Sequence, residues 1–379
     1  MGVYPAKRET MDIFIVKGEI KRYAWGTSDF IKSLVGLDAE GVVAEYWLGT
    51  HYLGEAKDST GHLLREKINH RLSFLLKVLS ISSPLAIQCH PTKNEAMEGF
   101  KKECALSVPQ ENRNYSDEND KTEAAIALSD FTVLCGFREL FEAKANILKY
   151  TPSLYEVIKN CSSVEELMIT IKEIGDDNKN QALTQLKEKI EGVIVPSSPV
   201  LSMEELCAFC LSLYPDDIWC VSPLILNVIH LKAYEAIFIK PGIVNAYCRG
   251  NCMEIMTSSD NMTRLGLTCR FKDENEFMKI ADFSEGMNER VKELILSNGA
   301  FSYDFPYRNF SLIRYEKGKH LIPLRKDGVM FVIEGEANLK SSEKEILMKR
   351  GDAAFIPEEI EVTMEVDGVV FFAYEKPKN

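Results

Sequence analysis

No stretch of the chain approaches the ~18 consecutive apolar residues that a membrane-crossing helix needs. The segment from Met1 to Thr10 lacks the apolar core of a secretory leader and carries Lys7, Arg8 and Glu9 instead. Positive charge is not in excess either. Across 379 residues, 45 Lys and Arg face 57 Asp and Glu, a net charge of −12. That balance argues against general binding to nucleic acid or to an anionic membrane. An anionic small molecule would need its own local cluster of Lys and Arg. A disulfide spacing pattern is also missing. The ten cysteines are scattered, and Cys207 and Cys210, a Cys-x-x-Cys in a helix-like apolar run, have no second pair to complete a zinc knot. Buried free thiols are the better reading. These absences describe a reduced, soluble chain, expected in the cytoplasm.

What is present is enough sequence for two or three domains and more than one sizeable core. The run Leu85-Ala86-Ile87-Gln88-Cys89-His90-Pro91 alternates as a strand does. Leu85, Ile87 and Cys89 fall on one face, and Ala86, Gln88 and His90 on the other. Pro91 then ends the ladder by removing a donor. Gln88 and His90 therefore offer a carbonyl oxygen and an imidazole nitrogen to one point. On residue grounds alone, a metal site and a satisfied polar pair at a strand end both remain open. Upstream, residues 11–56 hold short strand-like pieces such as Ile13-Phe14-Ile15-Val16, broken by glycines. Tyr23-Ala24-Trp25-Gly26 and the Trp47-containing run that ends at His51 read as core aromatics beside turns.

Downstream, residues 94–104 read as a short helix. A polar loop over 112–120 then leads into Lys121-Thr122-Glu123, whose Glu123 is either a solvated loop residue or a third ligand. Apolar residues at helical spacing run from 139 to about 226, an insert of about ninety residues. Strands resume near 235, and the C-terminal Lys349-Arg350-Gly351-Asp352 followed by Ala353-Ala354-Phe355-Ile356-Pro357 turns a corner as cupin-type jelly rolls do. The expected fold is mainly β with a helical insert: two cupin-type jelly-roll barrels plus an all-α domain. Residues 1–138 and 227–300 are expected to form the first barrel, 139–226 the helical domain, and 301–379 a C-terminal barrel. The last has no His or Gln at the corresponding places, so it is expected to be structural.

At residues 85–93, Lys121-x-Glu123 with 125–128, 134–138 and above all 252–268, the chain resembles type I mannose-6-phosphate isomerases. The similarity covers nearly the whole chain, and Ser259-Asp260-Asn261-x-x-Arg264-x-Gly266-Leu267-Thr268 is its most specific part. The resemblance implies a cytoplasmic, monomeric enzyme that interconverts mannose 6-phosphate and fructose 6-phosphate through a cis-enediol and feeds GDP-mannose and glycosylation. It also implies one zinc ion held by Gln, His, Glu and a second His, with an essential Arg. Carried over, these are Gln88, His90, Glu123 and Arg264. The fourth ligand stands in a Pro-His-Ala-Tyr motif, which here reads Val244-Asn245-Ala246-Tyr247. An Asn gives a metal only its amide oxygen, a harder and weaker donor than imidazole, so looser zinc and a relative gain for Mn²⁺ or Mg²⁺ are expected. Thr122, Asp120 and Ala86 also depart from the family's common Pro, His and Ser.

Such a reaction needs a cation at the developing enediolate oxygen, a proton shuttle, and a positive site for a phosphate dianion. Arg264 is expected near the reacting carbons, its structural alternative being a pairing with Asp260 or Glu254. Glu254, Lys121 and Asp260 are candidates for proton transfer and positioning, and the sequence does not rank them. Lys121 and Arg270 are expected phosphate contacts, with Trp25 and Tyr247 walling the pocket. Two readings stand: an active isomerase with weakened metal binding, and a catalytically silent paralogue that keeps the fold and sugar-phosphate binding.

Overall fold

The computed structural model describes residues 11–286, 290–307, 309–322, 326–358 and 360–376; the segment Met1 to Thr10, expected to carry no leader, lies outside them. Two antiparallel sheets and a block of helices make up these residues. The first sheet has eleven strands, with Glu123–Phe137, Asn245–Thr257 and Phe74–Ile81 side by side at its centre. Phe74–Ile81 is buried along its whole length. Its run of Leu and Val has the composition of a strand covered on both faces. Glu45–His51 pairs on its far side. The short strand Ile87–Cys89 pairs with both Asn245–Thr257 and Thr263–Gly266.

The second sheet has nine strands and is built mostly from the C-terminal third. Its long members, Phe310–Ile322, Gly328–Lys340 and Val362–Glu375, alternate buried and exposed positions over their outer halves. The strand Phe14–Lys17, within the residues 1–138 assigned by sequence to the first barrel, pairs with Ala353–Ile356 of the second sheet, in register Phe14 with Phe355. The cause is apolar packing: Phe14 and Val16 point into a core that both sheets share, together with Tyr46, Leu76, Phe331 and Phe355. Gly18 lets the chain cross from one sheet to the other, because a Cβ there would lie 2.5 Å from the Trp47 carbonyl oxygen. The next strand, Glu19–Lys21, already belongs to the first sheet. At the other boundary Arg290–Val291 still pairs in the first sheet, while Glu293–Ile295 belongs to the second.

The helices between the strands are Leu140–Tyr150, Pro152–Ile158, Val164–Lys172, Asp176–Lys189 and Met203–Leu213. Their apolar faces pack into a core with Trp219 that also includes Ile87, Cys89, Leu134 and Phe137 from the first sheet. Helix packing therefore buries the apolar face of the short strand Ile87–Cys89, and its polar residues are left for the opposite side. Cys207 and Cys210 lie in that core as free thiols, as their spacing implied.

Candidate active site

The sheet register assembles the site. Trp47, Lys77, Glu254 and Ala125 are lateral neighbours on four adjacent strands. The next row along the same face is Glu45, Leu79, Cys252 and Ala127. Lys77 and Glu254 are thus a cross-strand pair, with Nζ 3.1 Å from Oε2 and both side chains buried. Lys77 also lies over the Trp47 ring, 5.0 Å from its centroid, and the Trp47 indole donates to Glu45. Burial by itself would push the Lys77 ammonium down, but Glu254 and then Glu45 hold it above the usual lysine range. Burial raises the Glu254 carboxyl, with nearby Glu123 adding to the rise and Lys77 opposing it.

His90 is fully buried, and its Nδ1 lies 3.0 Å from the backbone carbonyl of Asn261. A carbonyl can only accept, so the ring proton is on Nδ1 and Nε2 presents a lone pair. That Nε2 is 3.4 Å from Glu123 Oε2, and neither atom has a hydrogen-bond partner. Lys121 takes the other carboxylate oxygen, at 2.7 Å from Oε1. Burial would raise the Glu123 carboxyl, but Lys121 holds it well below the usual range. Burial holds the His90 imidazole low, and Lys121 adds to this. The structure thus sets a neutral imidazole and an ionised carboxylate with their lone pairs facing each other.

Asn245 sits directly opposite Gln88 across the strand pair. Its Nδ2 donates to the carbonyls of Ile243, at 3.1 Å, and Gln88, at 3.5 Å. A flipped amide would set oxygen against both carbonyls, so the orientation is fixed. Asn245 Oδ1 is then buried without a partner. His90 Nε2, Glu123 Oε2 and Asn245 Oδ1 are three buried acceptors that only a donor or a cation could satisfy. Two ligands of a tetrahedral ion with bonds of about 2.0–2.1 Å stand about 3.3 Å apart, close to the observed His90–Glu123 separation. The donor chemistry fits a divalent cation. Among the described residues no three His, Cys, Asp or Glu side chains form a metal-binding group, so any such ion would draw on the two amides.

Arg264 is next to Gln88 in register and has no ion pair among the described residues. The expected structural alternative, a pairing with Asp260 or Glu254, is not what the structure shows: Glu254 pairs with Lys77. Burial and then neighbouring Arg270 lower the Arg264 guanidinium to about 10. Arg270 is exposed and lies 5.3 Å from the Tyr23 ring centroid, and Tyr23 stacks on Trp25. Trp25 packs against a cluster that includes Tyr247. The Tyr247 phenol is raised well above its usual value by burial, then by Glu254 and Glu123. Asp260 lies 3.4 Å from His51 Nε2. Lys77 and Glu45 were not anticipated from sequence. The signal was one charge inside the apolar run Leu75-Leu76-Lys77-Val78-Leu79, where an unpaired lysine is rarely tolerated.

Residues 13–140 match the family model for the catalytic domain of type I phosphomannose isomerase. The chain is 28% identical over 369 residues to a mannose-6-phosphate isomerase of Salmonella typhimurium, spanning 89% of this chain and 93% of that protein. It is 27% identical over 390 residues to the Escherichia coli mannose-6-phosphate isomerase, spanning 94% and 98%. Its fold matches a crystal structure of a zinc-bound mannose 6-phosphate isomerase with a TM-score of 0.88 at 26% identity, covering 97% of this chain and all of that one. The apo form from Salmonella typhimurium matches equally well. Over most of its length the chain is similar to mannose-6-phosphate isomerases, and over residues 13–140 to the catalytic domain of the type I phosphomannose isomerases.

Proposed function

We propose that this chain interconverts mannose 6-phosphate and fructose 6-phosphate, with a divalent cation, zinc in the first place, held by Gln88, His90, Glu123 and Asn245. We read its architecture as two cupin-type jelly-roll barrels with the helices as a separate all-α domain, the site lying in the first barrel. The observation that carries the function is the set of three buried, unpartnered acceptors, His90 Nε2, Glu123 Oε2 and Asn245 Oδ1, on the sheet of the buried Lys77–Glu254 pair or, for His90, directly after its strand Ile87–Cys89. The cation would supply Lewis-acid stabilisation and orientation of the sugar oxygens.

The remaining chemistry is assigned to the chain's own groups. Glu254, raised by burial, takes the proton from one carbon and returns it to the other, a task suited to a carboxylate whose affinity for protons is increased. Lys77 keeps Glu254 ionised beforehand and balances the charge as the proton moves. Arg264 brings a fixed charge beside Gln88 to the enediolate oxygen. Lys121 is engaged with Glu123, so its assigned role is to orient and ionise that ligand. Arg270, on the rim over Tyr23, takes the phosphate with Arg264 close by. No carboxylate pairs with either guanidinium among the described residues, and a dianion would relieve their mutual repulsion. Trp25 and Tyr247 wall the pocket, and Asp260 accepts a sugar hydroxyl.

The silent-paralogue reading rests on one observation, the amide at position 245 where the family has an imidazole. Glu254→Gln decides about the shuttle. It keeps shape and a partner for Lys77 but cannot take a proton, and it is expected to lower kcat by about 10²–10⁴-fold with KM little changed. A kcat within a few fold of the parent would remove Glu254 from that role.

A further inference from the structure

Asn261 is fully buried, and all of its polar groups are engaged. Its Oδ1 accepts from the backbone N–H of Ser116 at 2.6 Å and of Asp117 at 3.1 Å. Its Nδ2 donates to the carbonyls of Asp117 at 2.8 Å and Asn119 at 2.7 Å. Its backbone N–H donates to Ser259 Oγ at 3.2 Å, and its backbone carbonyl accepts from His90 Nδ1 at 3.0 Å. One side chain therefore clamps the loop 116–119 at both ends, and the carbonyl of the same residue orients an imidazole. That loop runs directly into Lys121 and Glu123, whose carboxylate faces His90 Nε2 at 3.4 Å.

We propose that Asn261 is the positioning residue of the cation site. By pinning loop 116–119 with its amide and His90 with its carbonyl, it sets the His90 tautomer and the spacing between His90 and Glu123. The proposal rests on the reading of His90 and Glu123 as metal ligands. The physical basis is general. A ligating imidazole is held in the right tautomer by whatever its other nitrogen contacts, and loosening that contact costs about 10–100-fold in metal affinity. The carbonyl itself survives any substitution at this position. The side chain, through its hydrogen bonds to the loop, ties the carbonyl to the loop, beside the backbone bonds of Asn261 to Ser259 and of Met262 to Asn114. A purely structural staple would matter to folding and leave the metal untouched.

The test uses the full chain in two measurements. The first is ¹⁵N-resolved NMR of the histidine rings in metal-free wild-type protein, with His90 assigned by its loss in His90→Gln. A single His90 tautomer protonated on Nδ1 is expected, and a proton on Nε2 would overturn the proposal whatever happens to the variants. The second is calorimetric titration with Zn²⁺ of the wild type, Asn261→Ala and Asn261→Asp, beside Leu339→Ala in the second sheet as a control for lost stability. Asp keeps the acceptor half of the clamp but sets oxygen against the carbonyls of Asp117 and Asn119. Both Asn261 variants are expected to bind Zn²⁺ about 10–100-fold more weakly and to show mixed His90 tautomers, while the control keeps wild-type affinity. Wild-type affinity in the Asn261 variants, or an equal loss in the control, would overturn the role of Asn261. No Zn²⁺ binding by the wild type would instead sink the metal reading on which the proposal stands.

Discussion

His51 shows how a single buried group links the site to stability. Its Nδ1 accepts from the Leu53 N–H at 3.3 Å, which places the ring proton on Nε2, facing Asp260. Burial lowers the imidazole to about 4, against an upward pull from Asp260. In the unfolded chain this histidine takes a proton near 6.5, and the folded protein refuses it until about 4. The unfolded state therefore binds more protons across that window. Stability is undiminished by this group above 6.5 and falls as the pH drops towards 4, by up to about 3 kcal/mol. Denaturant unfolding of wild type and His51→Gln at pH 7 and pH 4.5 should show a smaller acid loss in the variant. Equal losses would mean that His51 does not titrate in this way. The strand end that carries Gln88 was legible in the sequence because alternation and a terminating proline are local signals, while a ligand role for Gln88, His90 and Glu123 is what the resemblance implies. Lys77 and Glu45 were not legible, since only the register of Phe74–Ile81 against its two neighbours brings them beside Glu254 and Trp47.

At the scale of elements, the strand Ile87–Cys89, which carries the proposed ligand Gln88, is only three residues long, too short to hold its geometry alone. It is held by a strand on each side, by the helical core behind it, and by the helix Lys93–Ala105 that starts directly after it. That helix opens with a capping box in which Thr92 and Glu95 exchange side-chain and backbone hydrogen bonds. Thr92→Ala should cost about 1 kcal/mol and lower the Tm by a few degrees, measured by thermal unfolding. A Tm unchanged or raised would show that the cap carries no stability. The expected helix at 94–104 was close to the observed one because the cap residues are in the sequence. The destination of Phe14–Lys17 was not legible, because an alternating apolar strand fits either sheet equally and only the shared core around Phe331 and Phe355 decides. Gly266 is another case where sequence is silent. A Cβ there would meet the Trp219 ring at 2.5 Å, so the glycine after Arg264 is required by the helical block packed behind it.

For the whole molecule, the two sheets and the helices give a fold that matches solved mannose 6-phosphate isomerases, and the proposed function sets an amide, Asn245, where the resemblance implies a second imidazole. The Asn245 amide is locked with its oxygen unpartnered and buried, the arrangement a metal-ligating amide needs. Replacing it by imidazole should raise zinc affinity by at least about tenfold, since borderline ions prefer nitrogen to an amide oxygen. The most direct measurement is a coupled assay of mannose 6-phosphate turnover on metal-stripped protein, with Zn²⁺, Mn²⁺ and Co²⁺ added in turn and Asn245→His run alongside. Turnover by the unaltered chain that appears only with a divalent ion is the expected result, and it would establish that Asn245 serves in place of the imidazole. Silence of the unaltered chain with every ion would contradict it. Activity confined to Asn245→His would then identify a paralogue silenced at one ligand, and silence of both proteins would leave sugar-phosphate binding as the function to pursue.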